Sequence, residues 1–276
     1  MDPNAFTLHL GDCLKSLKTM PDQSVHCCVT SPPYFGLRDY GVDGQLGLEA
    51  SPEEFVEALV IVLREVRRVL RDDGTLWLNL GDSYARNPAK GQHKPGDSGK
   101  QAYLYDTGGG RASSTSTAGL PEKNLIGIPW RVGFALQADG WYLRQDIIWQ
   151  KPNPMPESVT DRCTKSHEYV FLLSKSPRYF FDSAAIKEDA VKGAAGSSFS
   201  TGKTAEHQLG RSSDAVRIED GKRNRRSVWT IATRPYKGAH FATFPPALIE
   251  PCILAGCPVG GTVLDPFGGS GTTAGV

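Results

Sequence analysis

Apolar and polar positions along the chain fall into blocks whose period changes repeatedly. Residues 25–30 (Val-His-Cys-Cys-Val-Thr) are a short, mostly apolar run, suited to a strand buried on both faces. The run stops at Ser31-Pro32-Pro33-Tyr34, because two prolines cannot extend a central ladder. Ser51-Pro52-Glu53-Glu54 is a helix start: serine caps, proline suits the first position, and the glutamate stands three residues after the cap. Phe55, Leu59, Val62, Val66, Val69 and Leu70 then recur at helical spacing, predicting a helix that ends near Asp73-Gly74. Residues 75–80 follow as a strand that stops at Gly81-Asp82-Ser83-Tyr84.

The same reading predicts strands at 7–10, 142–150, 167–174, 179–181 and 262–264, and helices at 14–20, 129–137 and 245–255. Strand, turn and helix alternate, which indicates an α/β fold whose sheet is covered on both faces. Two stretches have no period. Residues 87–124 and 191–224 are polar and rich in Gly and Ser, and loops of that length are usually functional or disordered.

Composition narrows the picture. The 276 residues carry 31 Lys+Arg against 30 Asp+Glu, a net charge of +1, which removes a uniformly basic surface as an argument for nucleic-acid binding. The distribution is uneven, however. Residues 1–80 hold 7 basic and 12 acidic side chains, whereas residues 201–240 hold 9 basic and 4 acidic. A cationic segment that includes Lys222-Arg223-Asn224-Arg225-Arg226 suggests an acidic partner. The six cysteines form no C-x-x-C pair and the histidines lack zinc-ligand spacing, so no metal is expected, and the thiols read as free in a reducing compartment. The N-terminus has no basic start before an apolar run, and the longest aliphatic run, 58–63, is far short of the ~20 residues that span a bilayer. The expectation is a soluble, cytoplasmic protein.

Two segments carry chemistry. Asp265-Pro266-Phe267-Gly268-Gly269-Ser270-Gly271-Thr272-Thr273 follows a predicted strand and opens a predicted helix, so it lets a ligand approach backbone N–H groups closely. It lacks the lysine of a triphosphate loop. Taken alone it is equally an ordinary tight turn. In Ser31-Pro32-Pro33-Tyr34, the serine hydroxyl and the rigid Pro32 carbonyl are two acceptors, and Tyr34 offers a flat face. Together they could hold the exocyclic amine of a flipped nucleobase. The bland alternative is a proline-stiffened turn with Tyr34 in the core.

In combination the two segments resemble the DNA amino-methyltransferases, which methylate adenine N6 or cytosine N4 with S-adenosylmethionine. The catalytic signature of that family is (Asp/Asn/Ser)-Pro-Pro-(Tyr/Phe), and its cofactor signature is Asp-Pro-Phe-x-Gly-(Ser/Thr)-Gly-Thr-Thr. The catalytic signature comes first here, as in the permuted beta group. The resemblance implies a Rossmann-like methyltransferase sheet, mostly parallel and circularly permuted, with an inserted target-recognition region. Residues 1–183 would be the catalytic half, 184–239 the target-recognition region, and 240–276 the start of a cofactor-binding half that stops short of the family's ribose-binding acidic residue.

The resemblance also implies site residues. Ser31, Pro32, Pro33 and Tyr34 would be catalytic, with Tyr34 stacked on the extruded base and the amine attacking the cofactor methyl directly. Asp12, Cys13, Ser31, His240, Ala242, Thr243, Phe244, Asp265, Pro266, Phe267, Gly269, Ser270, Gly271 and Thr272 would hold S-adenosylmethionine. Arg38, Lys151, Asn153, Lys222, Arg223, Arg225 and Arg226 would face double-stranded DNA. A homodimer is expected, as in many relatives. Cys252 follows a proline, as the nucleophile of cytosine C5 enzymes does, but it lies in an apolar helix and reads as core.

Ser-Pro-Pro-Tyr is traditionally linked to cytosine N4. Solitary enzymes with a similar Ser-Pro-Pro-Tyr-Phe-Gly-Leu-Arg stretch include adenine enzymes, and this tips the expectation to adenine N6, with cytosine N4 as the alternative. An RNA or protein amide methyltransferase is a further reading that Ser31 disfavours, and a non-catalytic DNA-binding protein is another.

Overall fold

The computed structural model describes residues 6–37, 39, 41–85, 120–190, 221–234 and 244–276. In chain order the elements are α1 (Cys13–Thr19), β1 (Val25–Thr30), α2 (Pro52–Val69), β2 (Leu70–Leu80), α3 (Ile128–Ala138), β3 (Tyr142–Gln150), β4 (His167–Ser174), β5 (Glu188–Asp189), β6 (Lys222–Arg223), β7 (Val228–Thr230), α4 (Pro246–Gly256) and β8 (Val263–Leu264). Six strands form one sheet in the order β7-β3-β4-β2-β1-β8. Pairing is parallel for β1 with β2 and β8 and for β3 with β7, and antiparallel for β4 with both its neighbours. Only β4 therefore runs against the rest, and the sheet is mostly parallel.

That topology gathers one set of chain segments at one edge. The residues that follow β1, β2, β3, β7 and β8 emerge there, and β4 begins there. Ligands of open α/β sheets bind outside such carboxyl ends.

The period of two along the strands divides the core into two faces. Cys28, Leu76, Leu78, Phe171 and Leu173 pack with α1, α2 and α3 on one side. Cys27, Val29, Trp77, Val170 and Leu172 pack with α4 and Trp229 on the other. The amphipathic stripe of α2 buries Phe55, Leu59, Leu63 and Val66 completely, which is what the helical spacing of its apolar residues predicts. Ser51 caps α2 by accepting from Glu54 N at 3.1 Å.

Four expectations need correction. Residues 7–10 form no strand; Leu8 and Leu10 are exposed, and no strand among the described residues pairs with them. Residues 179–181 also lie outside any ladder, because Phe180 N–H donates to the Asp73 carbonyl and Asp182 N–H to the Ala255 carbonyl. Helix α2 ends at Val69, not near residue 73, since Leu70 turns extended (φ −67°, ψ 141°) and pairs with Val25. The glycine turn opens only a short 3₁₀ turn over Thr273–Gly275. The stretch 87–124 falls largely outside the described residues. Its base is closed by Ala85 N–H donating to the Asn124 carbonyl and Lys123 N–H to the Ala85 carbonyl, both at 2.8 Å. Most of 191–224 also lies outside, flanked by the two-stranded β5–β6 ribbon.

Candidate functional site

The two signature segments meet because β1 and β8 are parallel neighbours. Buried Thr30, the last residue of β1, donates its hydroxyl to Asp265 Oδ1 at 2.6 Å. Asp265 is the first residue after β8, and its other oxygen accepts from Thr273 Oγ1 at 2.7 Å. Phe267 N–H adds a bond to Asp265 Oδ1 at 3.1 Å. One carboxylate thus ties the end of β1 to both limbs of the glycine turn. Burial raises the Asp265 carboxyl above the ordinary carboxylate range, and these three donors act against that shift.

The turn itself is open. Gly269 and Gly271 have positive φ (50° and 78°), Gly271 N–H donates to the Gly268 carbonyl at 2.7 Å, and a Cβ built on Gly271 meets nothing within 4 Å. Ser270 and Thr272 share a hydroxyl contact at 3.1 Å. Phe267 packs against the same core as Leu264 and Cys13, which seats the turn while its backbone side stays free.

Ser31-Pro32-Pro33-Tyr34 follows Thr30 directly. Gly36 N–H donates to the Gly47 carbonyl at 2.7 Å, and Gly47, with φ 100°, lies so close that a Cβ there would stand 3.0 Å from the Tyr34 carbonyl oxygen. Only a glycine fits this left-handed position against the Ser31–Tyr34 segment. The Tyr34 ring rests on Gly81, just after β2, where an added Cβ would lie 2.5 Å from Cε2. The Tyr34 hydroxyl reaches Glu168 Oε2 at 2.7 Å and Asn79 Oδ1 at 3.2 Å. Asn79 Nδ2 donates to Glu168 Oε2 at 3.3 Å and to the Tyr169 carbonyl at 3.0 Å. Lys151 is ion-paired to Glu168 and lies 4.2 Å from the centroid of the Trp149 ring. Burial, then the neighbouring Glu168 charge, pushes the Tyr34 phenol well above its ordinary value, so it stays a neutral donor.

The chain matches the sequence pattern of a DNA methylase family, of the N6/N4 amino-methyltransferase type, over residues 25–276. The chain belongs to this family. It is 47% identical over 274 residues to the type II methyltransferase M.Cfr9I of Citrobacter freundii, covering 99% of this chain and 79% of that protein. Its fold is similar to that of the PvuII DNA methyltransferase, which is named as cytosine-N4-specific (TM-score 0.61, 19% identity, 96% of this chain and 75% of that one). It is also similar to TTHA0409 of Thermus thermophilus, solved with S-adenosyl-L-methionine (TM-score 0.57, 23% identity, 98% and 82%). The protein is thus an S-adenosylmethionine-dependent DNA amino-methyltransferase of restriction–modification type with a Rossmann-like sheet. The residues present fit that cofactor, because the glycine turn leaves free the space that a side chain would fill. No helix among the described residues is long and apolar enough to cross a membrane.

The remaining expected site residues of this methylase are placed as follows. Asp12 caps α1 by accepting from Lys15 N at 2.8 Å, and Cys13 packs beside Phe267 on the larger core. Burial first, then Asp12, raises the Cys13 thiol. Phe244 packs on the second core. Arg38, His240, Ala242 and Thr243 lie outside the described residues. Cys252 is buried and donates its thiol to the Leu248 carbonyl at 3.3 Å, as a core residue should.

Five of the expected DNA-facing residues have internal partners. The Lys151 side chain is only 18% exposed and belongs to Glu168. Asn153 exchanges bonds with Thr233, donating to its carbonyl at 3.1 Å and accepting its N–H at 2.9 Å. Arg223 and Arg226 share one carboxylate oxygen of Glu188, at 2.9 and 2.7 Å. The Arg225 guanidinium lies over Trp229, 4.6 Å from the ring centroid. Lys222 is exposed on β6. Asp82 is also structural in this arrangement. It accepts from Gly127 and Ile128 N–H at 3.0 and 3.1 Å, at the start of α3.

Glu168, Asn79 and Thr30 are the members of the site that motif reading misses. Their only signal in the sequence is a polar residue at the edge of an otherwise apolar strand run.

Proposed function

We propose that this chain transfers a methyl group to the exocyclic amine of a flipped base in duplex DNA, and that the base is cytosine, methylated at N4. The carrying observation is the Thr30–Asp265 hydrogen bond, which sets Ser31 and Pro32 beside the open glycine turn. When bound, S-adenosylmethionine supplies an electrophilic methyl. The chain supplies acceptors. The Ser31 hydroxyl and the Pro32 carbonyl take hydrogen bonds from the two N–H groups of the target amine. They direct its lone pair away from the base ring and stabilise the positive charge that develops on nitrogen. Both acceptors are neutral, so orientation contributes much of the rate. Tyr34, anchored by its hydroxyl, gives the extruded ring a surface to stack on.

Cytosine is favoured over the adenine suggested by the longer stretch after Ser31, because a Ser-Pro-Pro-Tyr signature is the one linked to N4 chemistry. The PvuII enzyme, whose name carries that specificity, is compatible with it through a shared fold. Residues 184–239 are proposed to read the recognition sequence, with Lys222 and the excess charge of Arg223 and Arg226 over Glu188 meeting phosphates.

The test is incubation with duplex DNA and labelled S-adenosylmethionine, followed by nucleoside mass analysis. The expected product is 4-methylcytosine. A product of 6-methyladenine would overturn the base choice. No methylated base, from a chain that binds the cofactor, would overturn the enzymatic reading.

A further inference from the structure

Residues 151–166 join β3 to β4 at the edge of the sheet from which the Ser31–Tyr34 segment emerges. The connection is braced on both limbs. Lys151 N–H donates to the Ser166 carbonyl at 2.7 Å and closes it at the base. Asn153 is locked to Thr233 by a bond in each direction, at 3.1 and 2.9 Å. On the returning limb, Glu157 accepts from Arg162 Nη1 at 2.7 Å, and the Arg162 guanidinium lies 4.1 Å from the centroid of the Tyr84 ring. Between these two anchors stands Pro154-Met155-Pro156. The prolines fix their own φ, and Pro156 holds the backbone of Met155 in the extended region. Met155 is nonetheless 83% exposed. A single exposed apolar residue is ordinary on a protein surface. What singles out Met155 is the stiff frame that holds it out at the edge where ligands of this sheet bind.

We propose that Met155 is a wedge that enters the DNA duplex where the target base leaves the stack, and fills the gap. Extruding a base breaks its pair and opens a slot between the neighbouring base pairs. Apolar side chains, methionine among them, can enter between base steps in this way. Methionine suits a slot one base thick, because it is unbranched and its thioether packs favourably against aromatic rings. The frame also relates the wedge to the surface proposed for the extruded base. Lys151, at the start of the connection, is ion-paired to Glu168, whose Oε2 accepts from the Tyr34 hydroxyl at 2.7 Å. Four residues separate Lys151 from Met155, a reach of at most ~14 Å. A major groove is ~12 Å wide, so both elements can act on one nucleotide step. Met155 touches no reacting atom in this scheme. It is a positioning residue that keeps the base from returning to the stack.

This inference rests on the base-flipping reading above, and the experiment separates the two. The parent chain first methylates plasmid DNA, and the modified position is mapped. Synthetic duplexes centred on that position are then made in two forms, fully paired and with the target base mispaired. A mispaired base costs less to extrude, so it depends less on a wedge. Met155→Ala and Met155→Leu are compared with the parent by single-turnover methylation of both duplexes and by S-adenosylmethionine titration. Met155→Ala is expected to lower the rate about tenfold on the paired duplex and less than about threefold on the mispaired one, with cofactor affinity within about twofold of the parent. Met155→Leu keeps an apolar wedge and should stay within about threefold of the parent on both duplexes. Both variants should keep the parent's thermal unfolding midpoint, because the residue is exposed. Equal losses on the two duplexes, full activity of Met155→Ala on the paired duplex, a loss that Met155→Leu does not restore, or a lowered unfolding midpoint would overturn the inference. A parent chain that methylates no DNA base would overturn the functional reading, and this inference with it.

Discussion

The two halves of the site are built in opposite ways. Around Tyr34, side chains from β2, β4 and the end of β3 interlock: Asn79, Glu168 and Lys151 fix one hydroxyl, and Gly81 bounds one ring. Around Asp265, a single carboxylate ties down a turn in which a Cβ on Gly271 would meet only open space. The difference fits the roles proposed for the two halves, base and cofactor binding. A base that enters from a duplex needs a rigid surface at a defined angle, and misplacement of about 1 Å can cost a hundredfold in rate. A cofactor that binds through backbone N–H groups needs close approach, so side chains are absent and rigidity comes from a carboxylate below. Thr30 links the two, and its hydrogen bond couples the sheet to the turn.

The sharpest way to break this contrast is Gly81→Ala. The new Cβ would lie 2.5 Å from Tyr34 Cε2, well inside contact distance, while the glycine turn is untouched. The ring must shift, and with it the hydroxyl contacts to Glu168 and Asn79. Methylation should fall about a hundredfold, with S-adenosylmethionine affinity changed less than about threefold. Single-turnover kinetics with calorimetric cofactor titration checks this. A parallel loss of cofactor binding would mean that the two halves are one mechanical unit.

How far this site was readable from sequence differs between the same two halves. Strands at 25–30, 142–150 and 167–174 were legible to the residue, since runs rich in β-branched and aromatic residues between turn signals leave little freedom. The stretches at 7–10 and 179–181 have the same local look but find no ladder, and partnership is not a local property. The glycine turn was legible because all its parts are consecutive. The Tyr34 cradle was not, because Glu168 stands 134 residues further along and reaches the ring only through the antiparallel placement of β4. The internal partners of Lys151 and Asn153 were hidden for the same reason. A lysine after a strand resembles a phosphate contact until its carboxylate partner is known.

Asp265→Asn tests the open half. It removes a charge that burial disfavours, but it also weakens the hold on Thr30 and Thr273. Cofactor affinity should fall about tenfold as the turn loosens, with net unfolding free energy shifted by no more than about 1 kcal/mol, the scale of one hydrogen bond. The pH dependence has a definite sign. The Asp265 carboxyl is raised in the folded chain, so the folded state binds its proton more tightly than the unfolded one. That contribution is fully present below the unfolded carboxyl value and is lost as pH rises through the folded value. The asparagine variant lacks it, so its stability relative to the parent should improve as pH rises through the carboxylate range. Denaturant titrations across that range would show the opposite trend if the hydrogen bonds, not burial, governed the group.

The smallest effect is expected outside both halves, in the cationic run after β5. Arg223 and Arg226 converge on Glu188, which leaves one positive charge uncompensated, and the Arg226 side chain is 66% exposed. A solvated guanidinium that already shares a carboxylate contributes one phosphate contact at most. Arg226→Ala should weaken DNA binding less than about threefold at moderate salt and reduce the salt slope by about one. Glu188→Gln should act in the opposite direction, freeing two guanidiniums and steepening the slope. Fluorescence anisotropy over a salt series measures both. If Glu188→Gln instead weakened binding, the β5–β6 ribbon would be the element that DNA needs intact. The pair of arginines would then serve to hold that ribbon, and direct phosphate contact by them would have to be given up.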